Sequence, residues 1–153
     1  MRPIIRVRPI EPADRADWLP LWEGYNAFYG RQGPTALDPV VTQTTWQRFF
    51  EPGEPVHALV AEVAGQLVGL VHFLYHRSTT RAEGVCYLQD LFTSPACRGQ
   101  GAGRALIESV CAQAQAAGVR RVYWQTHETN AAGRLLYDQV GVHGGFIVYS
   151  RDV

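Results

Sequence analysis

The sequence predicts a single α/β domain built around a mixed β-sheet. Its 153 residues are enough to bury a core and few enough for one domain. Strand-like and helix-like patterns follow one another in the order β-α-α-β-β-β-α-β-α-β, without repeats, low-complexity stretches or linkers. A hydrophobic fraction of 46% with only 18% charged residues is typical of a globular chain rather than a disordered one.

The N-terminal part is predicted to form one strand and two helices. Residues 5–8 alternate in polarity, which indicates the first strand. Asp14 is placed to cap a helix that ends within residues 30–34, and its large aromatic residues share one face: Trp18, Trp22, Tyr25 and Tyr29. Asp38-Pro39 offers a cap and a first helical position for the second helix.

The rest of the chain is predicted to contribute five strands and two helices. Three successive strands are rich in β-branched or aromatic residues: 56–63, 67–75 and 85–93. Each helix is followed by a glycine, and the two ranges are 101–117 and 130–140. Two further strands are expected at 120–126 and 146–150. We expect the strand–helix–strand units to be right-handed crossovers with parallel pairing.

Net charge and cysteine content indicate which binding partners and which cellular compartment to expect. Fourteen basic and fourteen acidic residues leave a formal net charge of zero, so no overall field attracts nucleic acid or an anionic membrane. Three cysteines without a CxxC pair argue against a disulfide framework or a zinc site. The first residues lack the apolar segment of a signal peptide, and the apolar window 57–76 is interrupted by a turn. We therefore expect a cytoplasmic protein with no metal, no nucleic acid and no membrane partner.

The glycine-rich segment 98–104 is the most informative one for function. It reads Arg-Gly-Gln-Gly-Ala-Gly-Arg and lies between a predicted strand and the long helix. Uncovered backbone N–H groups at a helix start favour a bound phosphate, and Arg98 and Arg104 add positive charge. A dinucleotide-binding fingerprint would require glycine in place of Arg104, and a P-loop would require Gly-Lys-Ser/Thr. A glycine-rich turn without a ligand is the remaining interpretation of this segment alone.

Three motifs in order resemble the GNAT family of N-acetyltransferases. Residues 98–103 are similar to its acetyl-CoA signature Arg-x-x-Gly-x-Gly, and residues 87–95 resemble its fourth strand. Residues 130–137 resemble a later helix in which asparagine and tyrosine are seven positions apart. More loosely, the first helix is similar to the branch with polyamine and histone acetyltransferases. The resemblance implies one N-acetyltransferase domain over residues 1–153, with a strongly twisted mixed sheet of six to seven strands flanked by about four helices.

The resemblance also implies a role for each matching residue. Backbone groups of Leu91, Phe92 and Thr93 would bind the pantetheine arm of acetyl-CoA. The pyrophosphate would be bound by the glycine-rich segment: Arg98, Gly99, Gln100, Gly101, Ala102, Gly103 and Arg104. Asn130, with Gly133 beside it, would hold the end of the pantetheine, and Tyr137 would be the general acid. Because relatives commonly pair, a homodimer is also expected.

Acetyl transfer to nitrogen is helped by a general acid that protonates the leaving thiolate, and Tyr137 is suited to that role. The amine must be neutral to attack, the reaction passes through a tetrahedral intermediate, and a thiolate leaves. A tyrosine hydroxyl has an ordinary pKa of about 10, against about 8.5 for a thiol, so it stays protonated at neutral pH and can donate to the sulfur. Asn130 and Tyr137 also share one helical face. Without the family, a core aromatic residue is the simpler interpretation of Tyr137.

The general base is not defined by the sequence. Polyamine-type relatives often carry Leu-Glu-Asp where this chain has Leu-Gln-Asp at residues 88–90. Strand alternation predicts that Asp90 points away from Gln89, to the other face of the sheet. The amine proton would then leave through water or through His127. For His127, as for His72 and His76, an ordinary structural role is the simpler interpretation.

The acceptor is predicted to be a primary amine in a small molecule or a protein lysine. Aromatic faces attract ammonium groups, so Tyr25 and Tyr29 are candidate acceptor-site residues, together with Gln89 and His127. Core packing is the alternative and accounts well for Trp18 and Trp22. The sequence thus predicts an N-acetyltransferase that uses acetyl-CoA and direct attack. A non-catalytic acyl-CoA-binding sensor and a protein-lysine acetyltransferase are the alternatives.

Overall fold

The computed structural model describes residues 2–153, and in them it places five strands in one sheet. The strands are β1 (Arg6–Pro9), β2 (Val56–Val63), β3 (Gln66–His76), β4 (Val85–Thr93) and β5 (Val122–Tyr123). The helices are α1 (Arg15–Phe28), α2 (Pro39–Arg48), α3 (Ala102–Ala116) and α4 (Ala131–Val140). The predicted α/β class and the order of elements up to α4 are confirmed.

The sheet is mixed, and its strands follow the order of the chain from β1 to β5. The first four strands pair antiparallel, whereas β4 and β5 pair in parallel across the α3 connection. The β4–β5 ladder has only two pairs, Cys86 with Val122 and Tyr87 with Tyr123. Beyond Tyr87 no ladder joins these strands in the described chain, so residues 88–93 keep an unpaired edge on that side.

The prediction of a final strand at residues 146–150 is wrong, and the strand before it is much shorter than expected. The strand expected at 120–126 is reduced to two residues, and residues 146–150 belong to no strand. Phe146 and Tyr149 are each 87% exposed. A strand needs a neighbour for its backbone N–H and C=O groups, and residues 146–150 pair with no strand of the described chain. Over residues 2–153 the sheet therefore has five strands rather than the six to seven that were expected.

A β-bulge in β4 changes which side chains face which layer. His72 of β3 pairs with Asp90, and the next residue, Phe73, pairs with Leu88, so Gln89 is an extra residue on β4. Alternation is interrupted at this point, and Gln89 and Asp90 both line the cavity beneath α1. The prediction that Asp90 points away from Gln89 is wrong, because strand alternation holds only where the ladder is regular.

Each face of the sheet carries its own hydrophobic core. On one face, α3 inserts Leu106, Ile107 and Val110 against the apolar side chains of β2 to β4. On the other face, α1 packs Trp18 and its aromatic neighbours against the sheet, and Trp18 is fully buried. Burial on this scale contributes roughly 1.5–3 kcal/mol for each large side chain. No helix within residues 2–153 combines the length and apolarity needed to span a membrane.

The two N-terminal helices begin in different ways. Asp38 caps α2 as predicted, and its carboxylate accepts a hydrogen bond from the backbone N–H of Val40 at 3.0 Å. Asp14 lies at the start of α1, but its side chain makes no cap for that helix. Its carboxylate instead accepts two hydrogen bonds from Arg8, at 2.8 and 2.9 Å. Asp14 therefore joins β1 to the start of α1.

Candidate active site

The loop between β4 and α3 presents a run of unpaired backbone N–H groups. In the described chain, none of the N–H groups of residues 99–104 donates to a protein acceptor, and the first helical bond runs from Ala105 to the carbonyl of Gly101 at 3.0 Å. Gly99 and Gly101 have φ values of 75° and 95°, which strongly favour glycine. Residues 98–101 are exposed. The loop can therefore bind an anion through its backbone donors.

The two arginines beside this loop are held in different ways. Arg98 donates to the carbonyl of Thr93 at 3.2 Å, and its guanidinium lies 5.5 Å from the ring centroid of Phe92. Arg104 donates to Gln139 of α4 and also lies 3.9 Å from Glu108. Arg98 therefore places its charge at the end of β4, whereas Arg104 links α3 to α4.

Asn130 is largely occupied by the start of α4. Its Oδ1 accepts from the backbone N–H of Gly133 at 3.2 Å, and its Nδ2 donates to Thr126 at 3.0 Å. A Cβ atom on Gly133 would lie 2.5 Å from that Nδ2, so a larger residue at this position would displace the Asn130 amide from the cap. One N–H of the Asn130 amide is left for a ligand. The structure thus gives Asn130 and Gly133 a helix-capping role besides the cofactor role predicted for them.

Tyr137 lies two turns further along α4 and is partly buried. Its ring packs edge-on against Trp124, with the ring centroids 5.9 Å apart. Burial raises the pKa of its hydroxyl, and the neighbouring Tyr29 adds to the shift. The hydroxyl therefore keeps its proton well above neutral pH and is suited to donate it.

A cavity of about 720 Å³ lies beneath α1, on the face of the sheet opposite to α3. It brings together all four residues that the sequence indicated for the acceptor site: Tyr25, Tyr29, Gln89 and His127. Its lining also includes polar residues that the sequence analysis did not assign to the acceptor, among them Arg31, Arg48, His72 and Asp90. Among the described residues, Asp90 is the only carboxylate in the lining.

A buried chain of hydrogen bonds ends at this cavity. The indole N–H of Trp18 donates to Nε2 of His72 at 3.1 Å, and Nδ1 of His72 lies 2.9 Å from Oδ2 of Asp90. Because an indole can only donate, Nε2 is the acceptor, and the imidazole carries its proton on Nδ1 and donates it to Asp90. His72 is 3% exposed and Asp90 is 8% exposed. The carboxylate is therefore held in one orientation at the cavity wall.

Tyr25 of α1 and Tyr29, which follows the end of that helix, stay neutral in this setting. Burial raises the pKa of Tyr25, and the negative charge of Asp90 raises it further. Burial and then Asp90 raise the pKa of Tyr29 in the same way. Both hydroxyls can therefore donate hydrogen bonds to a ligand at neutral pH.

The other predicted histidines are in less distinctive surroundings. His127 is exposed, and its Nδ1 lies 2.6 Å from the hydroxyl of Thr129. His76 lies at the end of β3, where its ring nitrogen is 2.7 Å from the hydroxyl of Tyr123. Of the three histidines considered from the sequence, His72 alone is buried in a polar network, and no local sequence signal distinguishes it from His76. In the part of the chain that the structure describes, no cluster of His, Cys, Asp and Glu has the arrangement of a metal site.

Comparison with known proteins gives one consistent family. Residues 18–142 match the model of the acetyltransferase (GNAT) family. The chain is 34% identical to the D-amino-acid N-acetyltransferase HPA3 of Saccharomyces cerevisiae over 150 residues, covering 97% of this chain and 91% of that protein. It is 30% identical to the uncharacterized N-acetyltransferase YhfO of Bacillus subtilis over 151 residues, covering 97% and 98%.

Solved structures agree on the fold. The ribosomal-protein-alanine N-acetyltransferase of Brucella melitensis biovar Abortus 2308 superposes with a TM-score of 0.77 at 20% identity, covering 98% of this chain and 99% of that one. AAC(6')-Iy in complex with the bisubstrate analogue CoA-S-monomethyl-acetylneamine gives a TM-score of 0.81 at 14% identity, covering 98% and 99%. At such identities the superpositions support the architecture of the chain and not its substrate.

Proposed function

The chain belongs to the GNAT acetyltransferase family and is an acyltransferase, and we propose that it transfers an acetyl group from acetyl-CoA to a primary amine. One observation carries the proposal. Six consecutive unpaired backbone N–H groups lie at the start of α3, directly after the unpaired edge of β4. A diphosphate and a chain of amide groups are the two parts of coenzyme A that such an arrangement suits.

The residues present fit the cofactor that the sequence predicts. The backbone amides of residues 99–104, with Arg98 beside them, would hold the pyrophosphate. Backbone groups of Leu91, Phe92 and Thr93 would pair with the pantetheine arm as an added strand. The free N–H of Asn130 would reach its distal end. Bound acetyl-CoA supplies a thioester whose acetyl carbon is open to attack by a neutral amine.

Tyr137 is proposed to be the proton donor of the reaction. Its hydroxyl keeps its proton at neutral pH because burial raises its pKa, and it can pass that proton to a departing thiolate. The amine would enter from the cavity beneath α1, which is lined by Tyr29 and by residues 125–127 of the segment that leads into α4, the helix of Tyr137. Its proton leaves to solvent, directly or through the exposed His127 at the cavity wall.

The test is release of free thiol from acetyl-CoA by the purified chain in the presence of a panel of amines. The panel contains free amino acids, simple alkylamines, an aminoglycoside and a lysine-containing peptide, since relatives with these folds act on different amines. We expect at least one amine to accelerate thiol release well above the rate without amine. Tight binding of acetyl-CoA with no acceleration by any amine would support the sensor module instead. Acceleration by the peptide alone would support a protein-lysine acetyltransferase.

We also propose a homodimer in which the C-terminal segment 146–150 pairs with the sheet of a second copy. This segment is apolar and exposed, and β5 is an edge strand with an unpaired side in the described chain. Light scattering after size exclusion should give twice the mass of 17.0 kDa, and removal of residues 146–153 should give monomers. A full-length monomer would overturn the pairing.

Cys86, Cys97 and Cys111 are all free thiols, and the reducing cytoplasm remains the proposed compartment.

A further inference from the structure

Two side chains of opposite charge line the acceptor cavity, and neither has its charge neutralised by another charged side chain there. One is the carboxylate of Asp90 and the other is the guanidinium of Arg31. From this arrangement we propose that the acceptor is a zwitterion of the α-amino acid class, with its ammonium group on Asp90 and its carboxylate on Arg31. The inference rests on the proposed function, because it names the substrate class of that same site.

Asp90 presents its carboxylate at the cavity wall. Its Oδ2 is held by His72 at 2.9 Å, and His72 is held in turn by Trp18. The hydroxyl of Tyr25 is a second hydrogen-bond partner of this carboxylate and lines the same cavity. A phenolic hydroxyl rotates freely and both donates and accepts, so it can exchange this contact for a ligand. A carboxylate held in one orientation by His72 at the cavity wall is suited to bind an ammonium group.

Arg31 is held in place from below, which leaves its outer nitrogens free. Its Nε donates to Oδ1 of Asn26 at 2.7 Å, and the amide of Asn26 donates to the carbonyl of Trp22 at 2.9 Å. Asn26 is only 5% exposed, so this support is part of the core. The guanidinium has no acidic residue within ion-pair distance among residues 2–153. Its two terminal nitrogens therefore present a fork that matches a carboxylate.

Tyr25 connects the two charges. The guanidinium of Arg31 lies 5.8 Å from the ring centroid of Tyr25 and 5.4 Å from that of Tyr29. The hydroxyl of Tyr25 is close enough to Asp90 for the carboxylate to raise its pKa. Tyr25 thus lies beside Arg31 through its ring and beside Asp90 through its hydroxyl. An α-amino acid carries its ammonium group and its carboxylate on one carbon, so one small molecule can pair with both charges in this cavity.

The same charges disfavour other amines. A polyamine would place a second ammonium group near Arg31 or Arg48, where like charges repel. A simple alkylamine would leave the guanidinium of Arg31 without a partner, so the binding energy of that group would be lost. Arg48 lines the same cavity but lies 4.0 Å from Glu54, so it already has an acidic partner. Arg31 and Arg48 therefore form a matched pair for mutagenesis, one unpaired and one paired.

The experiment compares three acceptors that share one side chain: leucine, leucinamide and 3-methylbutylamine. Both enantiomers of leucine and of its amide are used, and the wild-type full-length chain is assayed with acetyl-CoA. We expect kcat/KM for the better leucine enantiomer to exceed that of the other two acceptors at least tenfold. Arg31→Gln should lower kcat/KM for leucine at least tenfold and leave leucinamide and 3-methylbutylamine within about twofold. Arg48→Gln should leave the preference for leucine in place.

Asp90→Asn tests the other end of the ligand. It should lower kcat/KM for all three acceptors by similar factors, because each carries the ammonium group. The affinity for acetyl-CoA, measured by calorimetry, should stay unchanged, which shows that the variant is folded. Acetylation of amines without any preference for leucine, or an equal loss for all three in Arg31→Gln, would overturn the zwitterion site and leave the proposed function standing. If no acceptor accelerates thiol release, the proposed function itself fails.

Discussion

The two sides of the candidate active site are built from different materials. On the proposed cofactor side, the candidate binding groups are the unpaired backbone N–H groups of residues 99–104 and the open edge of β4, and side chains matter chiefly by being small. On the acceptor side, specific side chains line a cavity and are held by other side chains: Asp90 by His72, and Arg31 by Asn26. Substitutions on the two sides should therefore reduce activity for different reasons. On the cofactor side they would disturb the backbone conformation, and on the acceptor side they would remove a functional group.

The hydrophobic cores that support the two sides also differ, because one is apolar and the other contains buried polar residues. The core beneath α3 contains apolar residues and one cysteine, without a buried charged or amide side chain in the described chain. Within residues 2–153, the four buried polar or charged residues lie on the other side: Asp14, Asn26, His72 and Asp90. Buried polar groups weaken a core unless they are fully hydrogen-bonded, but they impose one arrangement when they are. The cofactor side thus rests on a simple core, and the acceptor side rests on one that defines the direction of its charges.

The largest effect is expected from Gly101→Asp, which attacks the backbone side. Gly101 has a φ of 95°, and aspartate there would add strain, bulk and negative charge beside the unpaired amides. We expect the Kd for acetyl-CoA to rise at least a hundredfold in calorimetry. Gly65→Asp is the control, because Gly65 has a φ of 79° in the β2–β3 turn and open space around it. It should reduce stability by about 1 kcal/mol without changing the Kd. Equal affinity in Gly101→Asp and wild type would place the cofactor elsewhere.

Tyr137→Phe tests the point where the two sides meet. It should lower kcat at least tenfold and leave the Kd for acetyl-CoA unchanged, because only the proton donor is lost. Since burial raises the pKa of Tyr137 above 10, loss of its proton should cause no fall in the wild-type rate between pH 7 and about pH 10. Tyr75→Phe, at a half-buried tyrosine outside the cavity, is the control. Unchanged turnover in Tyr137→Phe, with chemistry limiting, would remove Tyr137 from the acid role.

Asp14→Asn tests a buried polar residue of the acceptor side that lies outside the candidate active site. The hydrogen bonds from Arg8 lower the pKa of Asp14, so its ionised form stabilises the folded state. That contribution is present above the ordinary carboxyl pKa of about 4 and is lost as the pH falls through the lower folded value. Urea unfolding at pH 7 should show a loss of about 1–2 kcal/mol, and the difference should shrink below pH 3. The exposed Asp17→Asn serves as control, and an equal loss in both variants would contradict a specific role for the Arg8 pair.

The smallest effect is expected from thiol labelling, which leaves the structure unchanged. Burial raises the pKa of Cys86 to about 12, and its side chain lies in the core beneath α3. Cys111 is exposed, although partial burial of its sulfur also raises its pKa. At pH 8, iodoacetamide should modify Cys111 slowly and Cys86 only after addition of urea, as read by mass spectrometry. Rapid labelling of native Cys86 would show that the apolar core opens more easily than its packing indicates.

Most of the fold follows from local patterns. The ranges of β2 and β4, the cap of α2 at Asp38 and the glycines that end α3 and α4 are all visible in the sequence, because each depends on residues close together in the chain. The final strand could not be predicted in the same way. Residues 146–150 have the composition of a strand, but a strand also requires a free edge in register, and pairing is not a local property.

Local sequence patterns are enough to specify the backbone features of the candidate site: the glycine-rich helix start, the strand before it and the asparagine-to-tyrosine spacing of α4. Those features depend on which residues tolerate unusual φ values and which cap a helix, so short motifs are enough to indicate them. That Asp90 shares a cavity with Arg31 follows instead from the folded arrangement of the chain. That outcome depends on a bulge opposite His72 and on hydrogen bonds to Trp18 and Asn26 that stabilise it. Contacts between distant parts of a chain set the direction of a buried charge, and no local spacing encodes them.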